Sequence, residues 1–197
     1  MRFSKTESEH IGIALFVIVL ALAFHFRAEP TFRLYSSPLV AAFIVMFFSF
    51  GIAFIFHELA HKYVAQTYGF WAEFRYWQTG LMLGLLMAFT PLLFLAPGAV
   101  YIHGGYYGIT KKQNAYISLA GATTNVGLAL LFSISRPLFI INTFGELIRS
   151  WAISINLLLA MFNMLPIPPL DGSKVFAWSP KNWGIIFVGL IILNNIL

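Results

Sequence analysis

Residues 39–67 read LVAAFIVMFFSFGIAFIFHELAHKYVAQT. The first 18 of them, 39–56, form an apolar run without a charge, which continues through His57, Glu58, His61 and Lys62 with no strong breaker until Gly69. As one helix the stretch would be about 43 Å long at a rise of 1.5 Å per residue. That exceeds a bilayer hydrocarbon core of about 30 Å. The two histidines therefore sit toward one membrane face, at the end of a spanning helix. Their four-residue spacing puts both imidazoles on one side, a turn apart. Two neutral imidazoles so placed can share one tetrahedral zinc ion. Glu58, beside the first of them, can act as general base toward an attacking water without itself ligating the metal. An ionisable residue bordered by such an apolar run is costly, and residues of that kind are usually functional.

The rest of the chain agrees that lipid is its solvent. Of 197 residues, 59% are hydrophobic and 10% charged, against about 25% charged in a soluble domain. Mean hydropathy is +0.81. With no cysteine, no disulfide framework is possible and a metal site must use His, Asp or Glu. The net charge of +5 comes from basic residues scattered singly between apolar segments. They read as topology signals and headgroup contacts, and with no basic helix or stripe the composition excludes a nucleic-acid partner.

Residues 11–26 are apolar, too long and aromatic for a signal-peptide core, and read as a first transmembrane helix. A loop with Pro30 follows. The aromatic segment 70–79 reads as an interfacial strand or belt, and 98–107, GAVYIHGGYY, as a short strand or hairpin. Between them lies the apolar stretch 81–96, interrupted by Gly84 and Pro91. Residues 115–135 and 151–165 are further apolar spans, joined through Arg136, Pro137 and a loop to Arg149. A proline-rich turn at 166–172 cannot be helical throughout, and 183–197 is a last short apolar segment. The expected fold is an all-α polytopic membrane protein, one membrane-embedded domain over 1–197. It has about five to six transmembrane segments, a re-entrant or broken segment near 81–96, and short interfacial β elements near 70–79 and 98–107.

A zinc site needs a third ligand. A further His six residues after His61 is absent, since that position is Thr67. Glu73 lies too close among aromatics, and Glu146 falls in the expected loop beyond Arg136. The remaining acid is Asp171, the single aspartate of the chain. Such a residue in a Pro/Gly turn is ordinarily just a turn former.

H-E-x-x-H at the end of a transmembrane helix, followed by Asn163-Met164-Leu165-Pro166-Ile167-Pro168-Pro169-Leu170-Asp171-Gly172, resembles the site-2 protease family of intramembrane zinc metalloproteases (peptidase family M50). The resemblance covers about residues 44–174 and implies one Zn2+ held by His57, His61 and Asp171, with Glu58 as catalytic base. Asn163 would lie close to the active site. A third element, Ala120-Gly121-Ala122-Thr123-Thr124-Asn125, matches the family's A-G-P-x-x-N stretch except that Ala122 replaces the proline. Asn125 and Asn163 could donate to the substrate backbone or oxyanion; the alternative for each is helix–helix hydrogen bonding. PDZ and CBS domains of other members are not seen, so a minimal core is expected. The implied activity is hydrolysis of peptide bonds in or beside a transmembrane helix of a membrane-protein substrate. A metal-ion transporter is the alternative from another class, and an inactive membrane-binding relative a third.

A closed site also constrains topology. Asp171 and the histidines must share a face, so the chain crosses an even number of times between His61 and Lys111, and 81–96 cannot be a simple span. Arg2, Lys5, Lys62, Arg75, Lys111, Lys112, Lys174 and Lys181 then fall on the site's face, against Arg27, Arg33, Arg136 and Arg149 on the other. The excess marks the site's face as cytoplasmic, in a multi-pass protein of the cell membrane.

Overall fold

The computed structural model describes residues 1–93, 95–136 and 143–197. Helix α1 spans Lys5–Phe26, capped by Ser4, whose Oγ accepts from the Glu7 amide at 3.1 Å. Residues 39–67 lie in one continuous helix, α2, over Pro38–Thr67. Pro38 starts it where the missing N–H is harmless, and a π-helical turn at Phe47–Gly51 lies within it. Helix α3 (Gln78–Met87) follows, then α4 (Lys111–Ile134), α5 (Thr143–Asn163), α6 (Asp171–Trp178) and α7 (Pro180–Ile196).

Among the described residues, α1, α2, α4 and α5 are long and apolar enough to cross a membrane. That is fewer than the five to six segments expected. The stretch 81–96 holds only the later part of the ten-residue helix α3, and the last apolar segment forms a 17-residue one with Lys181, Asn182, Asn194 and Asn195 at its ends. The all-α membrane architecture is otherwise as expected, including its two short strands. β1 (Trp71–Tyr76) and β2 (Gly98–His103) pair antiparallel, from Trp71 opposite His103 to Tyr76 opposite Gly98.

This ladder explains the interrupted segment. Trp77 N donates to Pro97 O at 2.9 Å, so the chain returns to the point it left. Helix α3 is about 15 Å long, half a hydrocarbon core, too short to cross one by itself. Phe94, later in the interrupted segment, lies outside the described residues.

Two boundaries differ from the sequence reading. Helix α4 begins at Lys111, where Thr110 and Gln113 form a capping box. Residues 143–149, expected as loop, are the first two turns of α5. Glu146 there pairs with Arg149 (Arg149 Nε to Glu146 Oε2 2.9 Å), which lets a polar start remain helical. The part of that expected loop at 137–142 lies outside the described residues.

The helices pack through small residues, Ala42 and Ala53 of α2, Ala122 and Ala129 of α4, and Ala152 and Ala160 of α5, all buried. Close approach of this kind drives association where lipid offers no hydrophobic gain. Trp183 Nε1 donates to Met164 O at 2.8 Å and pins α7 to the turn after α5.

Lys62 is not the snorkelling surface residue its helix-end position suggests. It is fully buried and paired with the equally buried Glu7 of α1. The other Glu7 oxygen accepts from Phe74 N of β1 at 3.0 Å. One ion pair thus joins α1, α2 and the sheet.

Candidate metal centre

Helices α2 and α4 run antiparallel in contact, and the contacts step along both by single turns. His61 meets Ile117, His57 lies against Gly121, and Ala53 meets Asn125. Gly121 is required by that approach. A Cβ there would stand 2.5 Å from His57 Cε1, so even alanine would push the imidazole aside. The proline-rich turn then brings Asp171, the first residue of α6, over the same spot.

Three side chains converge. His57 Nε2 lies 3.4 Å and His61 Nε2 3.1 Å from Asp171 Oδ2. The three ligand atoms fall within 4.8 Å of one another, and the residues are only 5–7% exposed. Both imidazoles are oriented from behind. His57 Nδ1 is 2.6 Å from Asn125 Oδ1, and His61 Nδ1 is 2.7 Å from the Ile117 carbonyl oxygen. Each Nδ1 faces an oxygen acceptor, so each carries the hydrogen, and the Nε2 lone pairs point at Asp171. Lys174 Nζ reaches Asp171 Oδ1 at 3.0 Å. Two imidazole nitrogens and a carboxylate oxygen aimed at one point form a group that could hold a metal ion. The donor set, N, N and O, is one that zinc accepts.

Glu58 stands one residue from His57 and outside the converging trio. Its Oε2 accepts from Val100 N at 3.1 Å. That amide is free because Val100 and its partner Phe74 turn their N–H groups away from the ladder, Phe74 toward Glu7 and Val100 toward Glu58. The outer edge of β2 therefore borders the site.

The structure gives Asn125 the helix-bridging role and not the substrate-binding one. Asn125 is fully buried. Its Nδ2 donates to Ala53 O at 3.1 Å and to Asn156 Oδ1 at 2.9 Å, which leaves no donor for an oxyanion. It bridges helices and orients His57 instead. Asn163 Nδ2 donates to Leu159 O of its own helix at 3.0 Å, with no hydrogen bond to the converging residues. Sequence reasoning missed Asn156, Gly121 and Val100. An amide inside the apolar run of α5 was a signal for the first; nothing in the sequence marks the other two.

Fold and cluster together define a helical, multi-span membrane protein with a buried His/His/Asp group suited to a metal. No protein-family model matches the chain, and no solved structure does. Over 191 residues it is 44% identical to "Putative zinc metalloprotease MJ0611" of Methanocaldococcus jannaschii, covering 96% of this chain and 93% of that one. It is 28% identical over 143 residues to "Putative zinc metalloprotease YwhC" of Bacillus subtilis, covering 63% and 64%. "Zinc metalloprotease MJ0392" of Methanocaldococcus jannaschii is 27% identical over 143 residues, 72% of this chain and 36% of that one. The chain belongs to the family of the first of these proteins, whose members here all bear the name zinc metalloprotease.

Proposed function

We propose that this chain is an intramembrane zinc metalloprotease of the site-2 protease type, cutting peptide bonds in or beside transmembrane segments of membrane proteins. The observation that carries the reading is the convergence of His57 Nε2, His61 Nε2 and Asp171 Oδ2, with Glu58 one residue away and not part of the trio. These three residues would hold the zinc. When bound, the metal supplies Lewis acidity, lowering the pKa of water and polarising the scissile carbonyl. Glu58 takes the proton of the attacking water and returns it to the leaving amine. Asn125 and Ile117 keep the imidazoles in the metal-binding tautomer. The outer edge of β2, whose Val100 amide holds Glu58, would receive an extended stretch of substrate by strand addition. Such a stretch must first unwind, because helical hydrogen bonds shield its peptide bonds.

The excess of basic residues on the site's face supports a cytoplasmic opening in the cell membrane. Antiparallel α2 and α4, with the chain's return from β1 to β2 between them, fit the crossing parity this needs. A metal-transport reading would call for a second site along a path. The described residues hold one such group.

The purified chain, incubated in detergent with a tagged single-span substrate, is expected to give products cut within or just beside the apolar segment. A chelator should stop the reaction and added zinc restore it. Cleavage confined to soluble peptides, or unaffected by metal removal, would contradict the proposal.

A further inference from the structure

We propose that Asn156 is a positioning residue for His57, acting through Asn125 to fix which imidazole nitrogen is free for a metal. The inference rests on the reading of His57 as a ligand.

Asn156 sits in the middle of α5 with no exposed surface. Its Nδ2 donates to the Ala152 carbonyl at 2.8 Å, and its Oδ1 accepts from Asn125 Nδ2 at 2.9 Å. Asn125 in turn donates to Ala53 O at 3.1 Å and presents Oδ1 to His57 Nδ1 at 2.6 Å. Each link has a direction. A backbone carbonyl can only accept, so Ala152 draws the amide hydrogens of Asn156 and turns its oxygen toward Asn125. Facing that oxygen and the Ala53 carbonyl, Asn125 must commit both of its amide hydrogens. Only its oxygen is left for His57. The imidazole then carries its hydrogen on Nδ1 and its lone pair on Nε2, the nitrogen aimed at Asp171.

Flipping either amide would set acceptor against acceptor in a dry interior, where an unpaired polar group is expensive. Ala53 holds one hydrogen of Asn125, and Asn156 holds the other. Without Asn156 the Asn125 amide gains a competing orientation, and the tautomer of His57 is no longer imposed. His61 needs no such relay, because its Nδ1 meets the Ile117 carbonyl directly. The chain of amides also couples His57 to α5, the helix that leads into the Asp171 turn.

The test uses the full chain in detergent micelles with Asn156→Leu and Asn156→Ser. Zinc affinity is read by competition with a chromophoric chelator. The His57 tautomer is read by 15N NMR of zinc-free, histidine-labelled protein. Asn156→Leu is expected to weaken zinc binding about 10–100-fold and to give a mixture of His57 tautomers, with His61 unchanged. Asn156→Ser disturbs packing less. Its hydroxyl bonds back to its own helix and is too short to reach Asn125, so it should shift both readouts in the same direction. A merely structural role would lower thermal stability and leave affinity and tautomer of the folded protein unmoved. Wild-type affinity and tautomer in either folded variant would overturn the proposal. So would an Nε2–H tautomer of His57 in the zinc-free wild type, which needs no variant. If the wild type binds no zinc, the metal reading fails, while the tautomer still decides the role of Asn156.

Discussion

Glu58→Gln is expected to lose roughly 10²–10⁴-fold in cleavage rate, the usual contribution of a general base, while keeping its zinc. At about 1.36 kcal/mol per factor of ten, that is a barrier raised by roughly 3–5 kcal/mol. The substitution is close to isosteric. The glutamine oxygen can still accept from Val100 N, the bond that holds Glu58 against β2 (3.1 Å), so the side chain stays in place. It lacks only the basicity to take a proton from water. Because Glu58 is not among the three converging donors, metal content should match the wild type. Single-turnover cleavage of a tagged transmembrane substrate, with metal analysis of the same sample, checks both halves. Undiminished cleavage would remove Glu58 from the chemistry, and loss of zinc would make it a ligand.

Removing one half of the Glu7–Lys62 pair is expected to destabilise the fold by about 3–5 kcal/mol, the cost of leaving a buried charge without its partner. Both side chains are fully buried. Glu7 also holds the Phe74 amide, and Lys62 Nζ lies 4.1 Å from the Phe3 ring centroid. In Glu7→Leu the ammonium loses its counter-charge and the sheet loses an anchor on α1. The double variant Glu7→Leu/Lys62→Met removes both charges, and replacing a buried pair by apolar groups is often neutral or better. It should recover most of the loss, short of the bond to Phe74 N. Unfolding in mixed detergent, followed for the wild type, both single variants and the double, measures the difference. Equal stability of wild type and Glu7→Leu would show that the pair does not hold the elements together.

The same pair shows where the sequence stops being legible. Lys62 at the end of an apolar run reads as a solvated helix end, because its partner stands 55 residues earlier in another helix. Local pattern carries no such information. By contrast, α2 was readable throughout, since 18 uncharged residues leading into H-E-x-x-H admit little but a helix ending in a site. The return of the chain between β1 and β2 agrees with the parity argument, in which Asp171 and the histidine pair meet only if 81–96 is not a simple span. Residues 143–149 were misread because Glu146 and Arg149 look like loop charges until they are paired along one helix face. Asn125 stood out as an amide in an apolar segment, but its direction depends on Asn156, 31 residues on. Gly121 looks like any small helix residue; the His57 ring packed on its face decides its identity.

The central claim is that His57, His61 and Asp171 bind one zinc ion together. Metal analysis of the purified wild type beside Asp171→Ala tests it most directly. The expected result is close to one zinc per chain in the wild type and a small fraction of that in the variant, with both still folded. Full zinc occupancy in Asp171→Ala, or none in the wild type under zinc-replete purification, would contradict it.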